Sequence, residues 1–376
     1  MEAASVIDAA NGRLEPFLKN TALNSDGSYV RIDLVVCRQE SMKQISHSNS
    51  DRTKCSSHKL DLKKRFPLLN LFIVGNGFDL NFGLPTGLAD FGEYLRSNEQ
   101  DVFSTLCGLH GLGAENGDAS DLRQWNHLEE RMASLDESFI IDAAKYSFDR
   151  QDYYSLPNDD FWAYAADHFE DMVNPIIHEL PWLVRKWALS IDISNTSDAR
   201  TQAYEEFGRR HQAAAFITFN YTRVLEDICQ FQHVHHIHGD AEAGDVVLGH
   251  STEFVRRAIK PGDLDEVREL YPGFETYNQH FRKRQCEIFK GVSDFASRLE
   301  FDRRVDEVIV CGHSIGEADR EYFLMISHLI PTATWTFTPH DGSGGQDCKN
   351  IANLTSDPSF RSGDYRLRSL AEIIGE

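Results

Sequence analysis

The chain is short of positive charge. Of its 376 residues, 38 are Lys or Arg against 59 Asp or Glu, a formal net charge of −21. That balance disfavours general affinity for nucleic acid or an anionic membrane, because such partners are held mainly by Lys and Arg against phosphate. Long apolar runs are missing too: none approaches the roughly 18 to 20 residues that span a bilayer, and the N-terminus has no basic start followed by an apolar signal core. A cytoplasmic protein is expected. The seven cysteines, Cys37, Cys55, Cys107, Cys229, Cys286, Cys311 and Cys348, form no CxxC pair and leave one over from any full pairing. Reduced thiols and no zinc ribbon follow. Two nucleotide signatures are also lacking: there is no GxxxxGK[ST] loop, and Leu80 stands where GxGxxG needs its third small residue. No internal repeat is found. What remains is 41% hydrophobic, enough for a real core in one large domain or two ordinary ones.

The chain divides near residue 66. From about Gln39 to Arg65 it is rich in Ser, Asn, Lys, Arg and His, with too few apolar residues to pack, so residues 1–66 read as a poorly ordered N-terminal extension. Within it, residues 28–37 are expected to add an edge strand, and Met42 offers an alternative start. Beyond it, strands are expected at 69–75, 214–219, 233–238, 245–249, 305–311 and 332–338. Helices are expected at 86–96, 125–134, 160–190, 202–211, 222–231, 264–298 and 317–329. Strands interleaved with helices predict an α/β fold, a doubly wound and mostly parallel sheet. The helical, aromatic-rich block from about 97 to 211 predicts a lobe inserted over that sheet. GSGG at 342–345 reads as a surface loop.

Asn70 to Thr86, NLFIVGNGFDLNFGLPT, carries the strongest signal. An apolar run suited to a central strand covered on both faces stops at Gly75, Asn76 and Gly77, a turn able to expose backbone N–H groups to an anion. Pro85 and Thr86 then open a helix, with Thr86 placed to cap it. A carboxylate repels phosphate, so Asp79 either holds a ribose hydroxyl, orders the loop or caps a turn. An ordinary strand-to-helix turn would show the same spacing. Two more strand ends are polar, and ligands of open α/β sheets sit beyond the carboxyl ends of strands. One is Phe219, Asn220, Tyr221 and Thr222, where Asn220 is either a helix cap or a ligand group. The other is Gly312, His313, Ser314 and Gly316 ahead of a helix starting near Ala318.

Four histidines fall within His233, His235, His236 and His238. Strand alternation lets only two converge, and no Cys or acidic ligand has a diagnostic spacing nearby, so a metal site weighs low against one working histidine among structural ones. His238 is favoured because Gly239 follows, where a ligand can approach closely. Glu129 beside the apolar stripe of Trp125, Leu128 and Met132 is ordinary amphipathicity or a residue reaching the cleft.

Taken in order, GNGFDLNFGLPT, WNHLE at 125–129, TFNYTRVLE, HIHG, LGH at 248–250 and GHSIGEAD resemble the bacteriophage abortive-infection family AbiH across about residues 68–340. That family is similar in turn to sirtuin-like NAD-binding domains: Gly83, Leu84 and Pro85 match a G-[IL]-P element, Asn220 a strand-end Asn, and His238 with Gly239 a strand-end His-Gly. Phe78 and Asp79 replace small residues usual after the glycine turn, and no zinc module is present.

The resemblance implies a Rossmann-like, sirtuin-like fold and a phage-defence protein that binds NAD or a related nucleotide and hydrolyses its nicotinamide–ribose bond, a candidate NADase. It implies Asn220 and His238 as catalytic residues. It sets Gly75, Asn76, Gly77, Phe78, Asp79, Pro85 and Thr86 against the nucleotide, together with Tyr221, Gly239, Gly312, His313, Ser314, Glu317 and Asp319. Glu129 and His250 are further candidates, and no metal is expected. A phage-derived trigger and self-association are candidate partnerships. Two competing functions are a non-catalytic nucleotide sensor that keeps the glycine turn and GHS loop without depending on His238, and a metal-dependent nuclease. The acidic balance and the lack of a carboxylate cluster weigh against the nuclease.

Overall fold

A computed structural model describes residues 22–23, 29–30, 68–113, 122–147, 158–244, 246–251, 270–340 and 345–375. The chain forms two compact units, residues 1–59 and 60–376. In the first, Ala22–Leu23 pairs antiparallel with Tyr29–Val30. The rest of the expected extension and edge strand lies outside the described residues, as do 342–344 of the expected glycine loop.

The second unit is built on a sheet of six parallel strands: β1 (Leu69–Val74), β2 (Ala215–Thr218), β3 (Val234–His236), β4 (Val305–Cys311), β5 (Thr334–Phe337) and β6 (Asp364–Leu367). Their spatial order is β3-β2-β1-β4-β5-β6. The chain fills one side of β1 and then crosses to the other, so the order reverses between β1 and β4, and such a reversal leaves a crevice at the strands' carboxyl ends. β1 and β4 are the most apolar strands because they are central: Leu71 to Val74 and Val308 to Cys311 are almost wholly buried, as expected where helices cover both faces.

The glycine turn after β1 is not a loop. Asn76–Phe82 forms helix α1 directly after Gly75 and ends at Gly83, whose φ of 101° is left-handed. Tertiary packing overrides the two-residue spacing of its glycines. Phe78 and Phe82 bury against Tyr204, with ring centroids 4.7 and 4.5 Å away, and the Tyr204 hydroxyl donates to the Phe78 carbonyl at 2.6 Å. The next helix, α2, is Leu88–Asn98; Gly87 caps it, its N–H held by Asp90. Thr86 is therefore not the cap.

The helices following α2 share an aromatic core. Trp125, fully buried, stacks on Phe103 at 5.3 Å. The segment expected as a helix over 125–134 is a 3-10 turn, Leu122–His127, followed by Leu128–Arg131. A 33-residue helix, Asn158–Ser190, lays Phe169, Val173, Ile176, Leu180, Val184 and Trp187 along one buried stripe, the three- and four-residue spacing of an amphipathic helix. Tyr271–Phe281 joins the same core, whereas Asp198–Arg210 packs through Tyr204 and Phe207 on the sheet.

Four further expectations are corrected. Residues 246–249 form no strand; only His250 bridges Arg282, because Gly249 is left-handed at φ 153°. The helix expected over 264–298 is broken at 282–284, where His250 donates to the Phe281 carbonyl and receives from Lys283 N–H at 3.0 and 2.9 Å; its residues 264–269 lie outside those described. The helix expected over 222–231 shrinks to Val224–Asp227, and the last expected helix starts at Arg320, not Ala318. β6, DYRL, was not expected at all, its four residues being exposed and without apolar alternation. Among the described residues no helix is long and apolar enough to cross a membrane.

Candidate functional site

A cleft of about 870 Å³ crosses the carboxyl ends of all six strands. Asn76 and Gly77 reach it from β1, Asn220 from β2, His238 from β3, Gly312 to Ser314 from β4, Thr338 from β5 and Ser369 from β6. The two central turns interlock where the strand order reverses. Gly77 N–H donates to the Gly312 carbonyl at 2.7 Å, Gly312 is left-handed at φ 61°, and a Cβ on Gly77 would lie 2.8 Å from that carbonyl oxygen. Gly75 meets the same limit against His313, 2.7 Å from such a Cβ.

Beyond β2 and β3 the lining turns polar. Asn220 Nδ2 donates to the Gly75 carbonyl at 3.3 Å, and its backbone N–H donates to Thr218 Oγ1 at 3.1 Å. Its buried Oδ1 has no hydrogen-bond partner, although buried polar atoms are ordinarily satisfied. Its carbonyl meets His236 Nδ1 at 3.0 Å, while His236 Nε2 sits 2.8 Å from Glu226, so His236 is structural. His235, stacked on Phe295, is structural too. Thr222 donates to Asp79, which is fully buried. Burial pushes the Asp79 carboxyl up to about 6, against the lowering effect of Thr222 and Asn220.

His238 is 4% exposed and edged by the rings of Phe219 and Tyr322. Its Nε2 lies 3.4 Å from Asp319 Oδ1, close enough for charge pairing without a well-formed hydrogen bond. The same oxygen takes the Lys283 ammonium at 2.9 Å, and Asp319 Oδ2 faces His313 Nε2 at 3.6 Å. Lys283, its side chain wholly buried, also pairs with Glu129 Oε1 at 3.0 Å, an oxygen that receives Gly249 N–H as well. Burial alone would raise the Asp319 carboxyl, but the Lys283 ammonium beside it, with His238, holds it well below the usual range. Burial would likewise lower Lys283, and Asp319 and Glu129 outweigh it and drive its pKa up. Lys283 thus sits between the side chains of Asp319 and Glu129, its charge and that of Asp319 each stabilised by the other. His313 is pushed down to about 4 by burial, and its Nδ1 accepts Ile315 N–H at 2.9 Å, so near neutral pH its one proton sits on Nε2, toward Asp319.

Of the residues expected at the site, the cleft brings together Asn76, Gly77, Asp79, Thr86, Asn220, Tyr221, His238, Gly312, His313, Ser314, Asp319 and Glu129. Others fall elsewhere. Phe78 belongs to the core under α1, because its helical position turns it inward. Pro85 lines a second depression of about 520 Å³ together with Gly83 and Leu84. Gly239, at φ 84°, turns the chain behind His238. Glu317 is exposed, and its carbonyl accepts from the Ser251 hydroxyl at 3.4 Å. His250 is buried beside Arg282, away from the lining. Lys283, and Arg200, which lines the cleft, have no signal in the sequence; nothing in the local pattern sets Lys283 apart from the other cations of its segment.

Sheet order and cleft together define a Rossmann-type α/β protein with its candidate site at the topological switch point. The model of the family "Bacteriophage abortive infection AbiH" matches residues 71–338, from β1 through β5 and every residue of the Lys283 cluster, and the chain belongs to that family. It is a phage abortive-infection protein. No curated protein matches it.

Proposed function

We propose that the cleft binds NAD or a related nucleotide and hydrolyses its nicotinamide–ribose bond. One observation carries this reading: Asn220 and His238, from the ends of neighbouring strands, both line a cleft of about 870 Å³, and the buried Asn220 Oδ1 makes no hydrogen bond. The similarity of the glycine turn, Asn220 and His238–Gly239 to sirtuin-like NAD-binding domains supports it.

In the reaction, a water oxygen attacks ribose C1′ and the C1′–N bond breaks. The bonding pair returns to the pyridinium ring, so nicotinamide leaves neutral and needs no acid; the water's proton passes to a base and ADP-ribose is the second product. His238, with Nε2 turned to Asp319, has Nδ1 left to take that proton or hold a ribose hydroxyl. Asn220 Oδ1 accepts from the ribose or the water. Asp79, Glu129 and Asp319 line the same cleft, and their charge favours the positive charge that grows on the ribose carbon.

The test is nicotinamide release from NAD by purified protein, with His238→Ala and Asn220→Ala as folded controls. Release by the wild type alone supports the reading; equal release by either variant removes that residue from it. NAD binding without release by any of the three assigns the cleft to a sensor instead.

A further inference from the structure

Lys283 stands outside the cleft lining, yet it contacts both Asp319, the carboxylate that His238 faces, and Glu129, a second carboxylate of the lining. It reaches Asp319 Oδ1 at 2.9 Å and Glu129 Oε1 at 3.0 Å, its side chain fully buried. Asp319 precedes the helix Arg320–Leu329 behind β4, whereas Glu129 follows the Trp125 turn in the helical core. A buried ammonium between two carboxylates is held firmly, since losing either partner strands a charge out of water.

We propose that Lys283 is a positioning residue for His238: it fixes Asp319 Oδ1, the atom His238 faces, and through Glu129 it ties the helical core to that carboxylate. This rests on reading His238 as the working group of the cleft. Two donors share one oxygen, so Lys283 and His238 compete for it. With the ammonium in place, Asp319 is already paired and His238 is left to a 3.4 Å contact, oriented by the carboxylate rather than captured as its counter-ion. The other groups facing His238 or Asp319 are His313, neutral near pH 7, and the Tyr221 and Tyr322 rings, whose hydroxyls burial keeps protonated. Lys283 is therefore the fixed cation of the cluster. Without it, His238 becomes the cation that Asp319 recruits.

The experiment follows the His238 imidazole by NMR titration of histidine-labelled protein, assigned with His238→Ala. Lys283→Arg keeps the charge and is expected to leave the midpoint within about 0.3 unit. Lys283→Met removes it and is expected to raise the midpoint by about one unit or more, tenfold in proton affinity, the order expected of a unit charge a few ångströms away. Lys283→Gln, which still donates to a carboxylate but carries no charge, serves if the Met variant does not fold. A folded Met or Gln variant in which His238 titrates as in wild type overturns the proposal. So does an Arg variant that shifts as far as Met, which would mark a packing role. In NAD cleavage the uncharged variants are expected to lose kcat about tenfold with KM held, as for a group acting on the transition state. Should wild type release no nicotinamide, the hydrolase reading fails while the titration still decides the role of Lys283.

Discussion

Gly77→Ala tests whether the two central turns are locked together. The added Cβ would sit 2.8 Å from the Gly312 carbonyl oxygen and 2.9 Å from its Cα. Both are backbone atoms, and neither can swing aside as a side-chain end would. Overpacking of this kind costs about 1–3 kcal/mol, and stretching the 2.7 Å bond from Gly77 N–H to that carbonyl costs about 1 more. Against this, Ala in a helix gains about 1 kcal/mol over Gly, and Gly77 lies inside α1. The sum is a destabilisation of about 1–3 kcal/mol. Urea unfolding at pH 7 reads it directly, with Gly113→Ala as control, since a Cβ there meets nothing within 4 Å and such a change is expected to stay within about 0.5 kcal/mol. A Gly77→Ala protein as stable as wild type, or more stable, would show that helix propensity rules this position and that the turns are free to part.

His238→Ala and Asn220→Ala are each expected to lower nicotinamide release about 100-fold, the usual scale for an acid–base or positioning group, measured at saturating NAD with folding verified by circular dichroism. Asp79 has its folded pKa raised to about 6, above the unfolded value near 3.8. Its contribution is therefore full below pH 3.8 and lost as the pH rises through 6. Relative to Asp79→Asn, wild type is expected to lose about 2 kcal/mol of stability between pH 4 and pH 7; parallel denaturation curves across that range would refute this. Trp125→Ala, emptying a fully buried site stacked on Phe103, is expected to cost about 3–5 kcal/mol, read as a shift in the urea midpoint, with Trp125→Phe recovering part of it.

The sequence by itself determined the central strands and the places where chemistry gathers. Leu71 to Val74 and Val308 to Cys311 are apolar on both faces and stop at glycines, and only a buried parallel strand needs that pattern. Asn220 directly follows the apolar AAFITF and His313 lies one glycine past its run, while His238 was marked by the Gly239 after it, so the carboxyl ends of the strands were legible as a site before their order was known. What tertiary structure alone decided depends on partners far away in the chain. Asn76 to Phe82 became a helix rather than a loop because Tyr204, more than a hundred residues on, supplies the surface that Phe78 and Phe82 bury against. DYRL became a strand by hydrogen-bonding its backbone to β5, which leaves no mark on side chains that stay exposed. Lys283 looked like any cation on a helix. Its meaning comes from Glu129 and Asp319, and sequence periodicity reports which residues share a face of one element, not which charges three separate segments bring together in a space that water has left.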